Sequence, residues 1–227
     1  ARFLPPFDPE NVRFRASRPV SQAVAVLGGG PYSYFRYEMH RAAEAALVAW
    51  EDAAVAFAQE TGRSHGLLES HRADDAEILF FLVGSFATKA RDAVDRLRED
   101  GLRVGLVRPR LLRPYPAEAI RRALRGKRGV AVIDQNLSMG KGGVLHAELA
   151  SELYGDPGAP PALVSFVGGL GGRDIRLEEF REMARIPARA AEEGRTPPAR
   201  LLYGAEELRE MHQLQRLAHA EREETTR

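Results

Sequence analysis

Between residues 75 and 187 the chain alternates short continuous apolar runs with segments in which apolar positions recur every three or four residues. A continuous apolar run is typical of a strand covered on both faces, and the longer recurrence is typical of an amphipathic helix. The pattern predicts strands over 77–83, 103–108, 129–134 and 162–167, and helices over 86–100, 116–125, 144–154 and 177–186. This alternation predicts a three-layer α/β fold with a mainly parallel sheet, to which 66–71 adds an edge strand.

The two ends of the chain have different patterns. Residues 1–36 are rich in Pro and Arg and predict an extended arm or linker, which packs either on this domain or on a neighbour. The clearest amphipathic helix covers 37–59, so we expect the α/β domain to span 37–187. Residues 188–227 predict a C-terminal helical extension with a helix from 205 to about 223. Its narrow apolar stripe docks either on its own domain or on a partner subunit, and comprises Leu208, Met211, Leu214 and Leu217.

Composition limits the classes of partner and cofactor. The formal net charge of +1 gives no reason to expect nucleic acid or a membrane surface as a partner. The sequence has no cysteine, which excludes disulfides and cysteine-ligated iron–sulfur clusters in this chain. It also lacks an apolar run of membrane-spanning length and a signal-peptide core, so we expect a cytoplasmic protein. The six histidines show no metal-binding spacing, and no metal site is expected.

One loop has the composition of a weak anion site. It follows the strand at 129–134 and precedes the helix at 144–154, which is where doubly wound sheets place ligands. A helix N-terminus there offers unpaired N–H groups to a phosphate. The candidate residues are Ser138, Lys141, Gly142 and Gly143, although the spacing is not that of a P-loop. The alternative is a glycine-rich turn shaped for tight packing, and we interpret the glycines at 28–30 as such a turn.

Three motifs together resemble one family. They are RPRLLRPYP at 108–116, VIDQNLSMGKGG at 132–143 and VGGLGGRDI at 167–175. They resemble the alpha subunit of the 2-oxoacid:ferredoxin oxidoreductases, with pyruvate:ferredoxin oxidoreductase the nearest likeness, over roughly residues 7–185. The similar part is the second domain of that subunit, which is like the C-terminal domain of transketolase. The chain departs from the family pattern at three positions, His71, Tyr115 and Gln135.

The resemblance implies an activity for the assembled enzyme. Such an enzyme oxidatively decarboxylates a 2-oxoacid, here expected to be pyruvate, to an acyl-CoA and passes the electrons to ferredoxin. It uses thiamine diphosphate with Mg²⁺, 4Fe–4S clusters and coenzyme A. The implied partners are a thiamine-binding chain, an iron–sulfur chain and, through the complex, ferredoxin; self-association is left open.

The same resemblance implies that this chain has no complete active site. A GDG-type motif for the metal and diphosphate is absent, and the only Gly-Asp pair, at 155–156, enters a Pro-rich loop. We therefore expect no catalytic residue and no cofactor in this chain, which alone should be inactive. The motif residues are expected to brace loops within the domain or to contact another subunit; they are Arg110, Arg113, Asp134, Gly169, Gly171, Gly172, Arg173 and Asp174.

Two other functions remain open from the sequence. The first is a stand-alone anion- or nucleotide-binding α/β module that uses the turn at 138–143. The second is the corresponding domain of a different thiamine enzyme.

Overall fold

The computed structural model describes residues 4, 6–8, 15–19 and 29–225, with the side chains of 223–225 excepted. In this part of the chain, no helix combines the length and the apolar character needed to cross a membrane. The helices and strands are α1 Gly29–Thr61, β1 Leu68–His71, β2 Ile78–Phe81, α2 Phe86–Glu99, β3 Val104–Pro109, α3 Ala117–Leu124, β4 Gly129–Asp134, α4 Val144–Leu153, β5 Ala162–Val167, α5 Leu177–Glu193, β6 Arg200–Leu201 and α6 Ala205–Thr225.

The strands form one sheet in the order β1-β3-β2-β4-β5-β6. Strands β2 to β6 pair in parallel, with Ile78 opposite both Val104 and Gly129, and Gly129 opposite Ala162. The chain passes from β2 outward to β3 and then returns across β2 to β4. The direction of winding therefore reverses between β2 and β4, and the prediction of a mainly parallel sheet is confirmed.

Helices cover both faces of the sheet. Helices α2 and α5 share one core with alternate strand residues such as Phe80, whose ring meets that of Phe180 edge to face at 5.5 Å between centroids. Helix α4 packs on β4 and β5. The strand positions that alternate with those of the first core are also buried, among them Leu79 of β2 and Val130 of β4. Because successive strand side chains point to opposite faces, both sets must be apolar. This arrangement explains the continuous apolar runs and confirms the three layers.

The chain divides into two compact units, Ala1–Glu69 with Pro109–Ala119, and Ser70–Arg108 with Ile120–Arg227. Helix α1 belongs to the first unit, and none of its residues is buried. The domain boundary that the sequence places at residue 37 stays a prediction.

Three segments differ from the sequence prediction. Helix α1 begins at Gly29, so 29–36 is helical rather than extended; Pro31 lies in the first turn, where its missing N–H is not needed. Most of the predicted arm and Gly28 lie outside the described residues. Helix α5 continues through Pro187 to Glu193, because buried Pro187 packs against Gly129 and holds the helix on the sheet. Strand β6 has no counterpart in the prediction.

Candidate functional site

Three loops of the second unit meet at the carboxyl edge of the parallel sheet. They follow β2, β4 and β5, and the reversal between β2 and β4 makes this edge the usual ligand crevice of a doubly wound fold. A Cβ built at Gly84 would lie 3.5 Å from Oε1 of Gln135, and one built at Gly169 would lie 3.1 Å from Nε2 of the same side chain. A Cβ at Gly169 would also lie 3.0 Å from Cζ of Phe86. The amide of Gln135 thus lies between two glycine-lined loops.

Asp134 is the polar centre of this edge. It ends β4 and is only 4% exposed. Leu145 donates its backbone N–H to Oδ1 at 2.7 Å, and His146 donates to Oδ2 at 3.2 Å. The carboxylate therefore satisfies the first N–H groups of α4, where a negative charge also favours the helix dipole. A Cβ at Gly143 would overlap this carboxylate, which explains the glycine at that position.

Burial raises the pKa of the Asp134 carboxyl above its usual 3.8, while the N–H groups of Leu145 and His146 act in the opposite direction. Because the pKa is raised overall, the loss of hydration outweighs the hydrogen bonds that stabilise the charged form. A charged group buried at this energetic cost needs all of its hydrogen-bond partners. Those partners come from the chain itself.

The predicted anion-site residues form a closed turn. Ser138 and Gly142 pair in an isolated antiparallel bridge, in which the Ser138 N–H donates to the Gly142 carbonyl at 2.8 Å. The N–H groups of Lys141 and Gly142 both donate to the Ser138 carbonyl. Gly143 donates to the buried Ser165 hydroxyl at 3.3 Å. The backbone donors of all four candidates are therefore engaged within the turn or its neighbours, and an anion would have only the Ser138 hydroxyl and the exposed Lys141 ammonium.

The glycine-rich motif after β5 is shaped by its backbone. Gly169, Gly171 and Gly172 have φ of 74°, 63° and 85°, the left-handed region that favours glycine. A Cβ at Gly168 would lie 2.8 Å from Cδ1 of Leu202, on the segment that follows β6. Gly168 and Gly169 therefore permit a tight turn against neighbouring side chains, whereas Gly171 and Gly172 are exposed and serve the turn through their backbone angles.

Arg173 joins this motif to the first turns of two helices. Its Nε donates to Glu207 Oε1 at 2.5 Å and its Nη2 to Oε2 at 2.8 Å, a bidentate pair with α6. Its Nη1 donates to Glu179 Oε2 of α5 at 3.1 Å. The next residue, Asp174, pairs with Lys89 of α2. The charged end of the motif thus braces three helices of the same unit.

Arg110 and Arg113 belong to the first unit. The guanidinium of Arg110 donates to Glu69 Oε2 at 2.5 Å, and its backbone N–H donates to the Leu67 carbonyl at 2.9 Å. Arg113 donates to the carbonyl of Leu112 at 2.6 Å and precedes a cis bond to Pro114. These contacts lie within the chain, and a role of either arginine toward another subunit remains a prediction.

Sequence reasoning did not identify the partners that complete the site. Ser165 is the single polar side chain in an otherwise apolar strand, a signal that a hydrogen-bond acceptor was needed there. Glu179 and Glu207 are two of many acidic residues in helices, and nothing in their spacing marks them as partners of Arg173. In the described ranges, no group of three or more His, Cys, Asp or Glu side chains is placed to hold a metal ion.

Comparison with known proteins identifies the class of this domain. Residues 76–180 match the family model described as pyruvate:ferredoxin oxidoreductase core domain II. The match covers just under half of the chain and agrees with the family that the three motifs resemble.

Two relatives give the resemblance in more detail. Pyruvate synthase subunit PorA of Methanothermobacter thermautotrophicus is 36% identical over 188 residues, which cover 81% of this chain and 46% of the relative. Ketoisovalerate oxidoreductase subunit VorA of Pyrococcus abyssi is 32% identical over 194 residues, covering 85% of this chain and 49% of the relative. The chain therefore spans about half the length of the curated relatives it matches.

Among solved structures, a 2-oxoglutarate:ferredoxin oxidoreductase from Magnetococcus marinus with 2-oxoglutarate, coenzyme A and succinyl-CoA bound aligns with a TM-score of 0.39. The aligned residues are 20% identical and cover 62% of this chain and 21% of that one.

Replacement of Asp134 by Asn tests the buried cap. The amide would present an N–H₂ group to a backbone donor, so we expect Asp134→Asn to lower the free energy of unfolding by about 1–3 kcal/mol in urea titrations. The matched control is Asp92→Asn, whose side chain is 65% exposed and pairs only with Arg96 on its own helix. The control should change stability by no more than about 0.5 kcal/mol. Equal effects of the two substitutions would contradict the assigned role.

The link between Arg173 and Glu207 predicts a pH dependence. Hydrogen bonds from the Arg173 side chain, with a further one from the Gly204 N–H, lower the pKa of Glu207 from 4.5 to about 2. Because the ionised carboxylate is the bound form, its contribution to stability is complete above pH 4.5 and is lost as the pH falls toward 2.

A carbon-13 carboxyl titration by NMR should show the low pKa of Glu207. Arg173→Met should return the pKa of Glu207 toward 4.5, and Arg209→Met, on an exposed position of the same helix, should not. A Glu207 pKa that is insensitive to Arg173→Met would refute the link.

Proposed function

We propose that this chain provides core domain II of a 2-oxoacid:ferredoxin oxidoreductase and that its task in the assembly is structural. The observation that carries this proposal is that polar groups at the carboxyl edge of the sheet are hydrogen bonded to other groups of the same chain. Asp134 and Ser165 accept hydrogen bonds from the N–H groups at the start of α4. In the motif after β5, Arg173 pairs with carboxylates of α5 and α6. A ligand crevice in a doubly wound fold needs uncommitted donors at this edge. Here the donors of Gly143, Leu145, His146 and the Arg173 side chain are used to fix the loops.

The proposed assembly oxidatively decarboxylates a 2-oxoacid, with pyruvate as the expected substrate, to an acyl-CoA and passes electrons to ferredoxin. This activity is inferred from family membership and from relatives described as pyruvate synthase and ketoisovalerate oxidoreductase subunits. Because the chain spans about half of those relatives, the substrate and the complete activity belong to the larger assembly. We propose a cytoplasmic location for that assembly.

The residues of this chain do not fit the cofactors that the family implies. The sequence contains no cysteine to ligate an iron–sulfur cluster and no GDG motif for a metal-bound diphosphate. We therefore assign thiamine diphosphate with Mg²⁺, the 4Fe–4S clusters and coenzyme A to other domains or chains of the assembly. The partners proposed for this chain are the thiamine-binding and iron–sulfur subunits, and ferredoxin through the complex.

The alternative of a stand-alone anion-binding module receives less support. It would rely on the turn at 138–143, where the backbone N–H groups of the four candidate residues, Ser138, Lys141, Gly142 and Gly143, are already hydrogen bonded within the chain. The alternative of another thiamine enzyme is also less supported, since the matched family is the ferredoxin-linked one.

Isolation of the tagged native chain under anaerobic conditions tests the proposal. We expect a thiamine-binding chain and a cysteine-rich chain to be recovered with it in fixed ratio, as measured by mass spectrometry, together with pyruvate-dependent ferredoxin reduction. The purified chain alone should show no such activity. Recovery of the chain without partners would contradict the proposal.

The variant Lys141→Ala tests whether the turn at 138–143 takes part in the activity of the same preparation. Because Lys141 is exposed and its backbone N–H bond is retained, we expect the variant to assemble and to reduce ferredoxin at the wild-type rate. A loss of activity per assembled complex would show that the turn takes part in the reaction and would contradict a purely structural task.

A further inference from the structure

A second surface of the α/β unit has an arrangement that neither the family nor the carboxyl-edge site explains. A pocket of about 330 Å³ lies between the last turns of α5 and the segment that leads to β6. Its lining includes three arginines, Arg189, Arg195 and Arg200, and one glutamate, Glu193. The lining therefore carries an excess of two positive charges, in a chain whose formal net charge is +1.

The arginines are weakly engaged with carboxylates. Arg189 Nε lies 4.0 Å from Glu193 Oε1, and Arg200 Nη2 lies 3.7 Å from Glu182 Oε2, both between well-exposed side chains. Pairs this long and exposed to water are readily exchanged for another anion. For Arg195, no ion pair with another described residue is present. The positive charge of the pocket is thus available to a ligand.

The floor of the pocket is apolar and its walls are fixed. Ile186 and Ala190 are 7% and 4% exposed and form part of the core on that face of the sheet. Gly194, with φ of 64°, ends α5 and lets the chain turn back, and the Arg195 N–H donates to the Ala190 carbonyl at 3.1 Å. Two prolines follow, whose fixed φ stiffens the outer wall, and Arg200 pairs with Phe166 in the sheet.

From this geometry we infer that the pocket binds a small organic dianion, a phosphate monoester or a dicarboxylate with a short apolar body. The three planar guanidinium groups of the lining match the oxygens of phosphate and carboxylate groups. The apolar floor accepts the body of the ligand, which free inorganic phosphate lacks. The volume is at the lower end of the range of small-molecule sites, roughly 300–1,000 Å³. The inference does not depend on the proposed function, because the pocket lining uses none of the residues of the carboxyl-edge loops.

Calorimetric titration of the full chain at low ionic strength tests the inference with phenyl phosphate and glutarate as probes. We expect saturable binding of at least one probe at up to about 10 mM, weaker binding of inorganic phosphate, and weakening of binding as salt is added. Binding of phenyl phosphate alone assigns the site to phosphate esters, and binding of glutarate alone assigns it to dicarboxylates. Failure of both probes to bind overturns the inference, as does inorganic phosphate binding as tightly as phenyl phosphate.

Two variants and a matched control locate the binding. Arg195→Gln and Arg200→Gln should each weaken probe binding by about tenfold or more, since each removes a charged donor. Arg185→Gln removes an exposed arginine from the same helix, one turn before Arg189 and outside the pocket lining, and should leave the affinity unchanged. Unchanged thermal midpoints will show that the variants fold. Equal weakening by all three variants would indicate general charge attraction and would overturn the proposed site. Failure of the chain to bind the probes would leave its recovery with partner subunits unaffected, so the two proposals fail separately.

Discussion

The carboxylate of Asp134 is the constraint on which the functional edge of this domain depends. It is buried at the end of β4 and binds the N–H groups of Leu145 and His146, so the strand and the following helix are fixed relative to each other. A side chain at position 143 would overlap the carboxylate, so this position requires glycine. The backbone carbonyl of Asp134 accepts the N–H of Gly168 after β5. One residue therefore contacts two of the three loops that meet at this edge, the first through its carboxylate and the second through its backbone carbonyl.

The glycine-rich turn connects this edge of the sheet to helices α5 and α6. Positive φ angles at Gly169, Gly171 and Gly172 bring the chain into position for Arg173, whose guanidinium binds Glu207 and Glu179. Helix α6 is anchored in this way at its first turn. Of its apolar stripe, Leu208 is half-buried, whereas Met211, Leu214 and Leu217 are exposed, and docking of the stripe on its own domain or on a partner subunit stays a prediction.

The sequence predicted those helices and strands that are marked by the apolar pattern of their own residues. Strands β4 and β5 were predicted to the residue, because a strand covered on both faces must be apolar throughout. Strand β6 was not, since its two residues, Arg200 and Leu201, are exposed and owe their conformation to pairing with β5. Asp134 and Arg173 were identified by motif. Their partners could not be, because backbone N–H groups leave no mark in a sequence and Glu207 is 34 positions from Arg173.

The charged and backbone groups of Asp134 and Arg173 at this edge bind partners within the chain, which supports the structural task that we propose for the domain. The most direct test is the turnover number of the assembled enzyme per bound thiamine diphosphate when Gly169 is replaced by Ala. This change strains a left-handed turn and crowds Phe86. Our account predicts a reduced yield of assembled complex and an unchanged turnover per bound cofactor. A normal yield with a reduced turnover would show that the motif takes part in catalysis and would contradict the account.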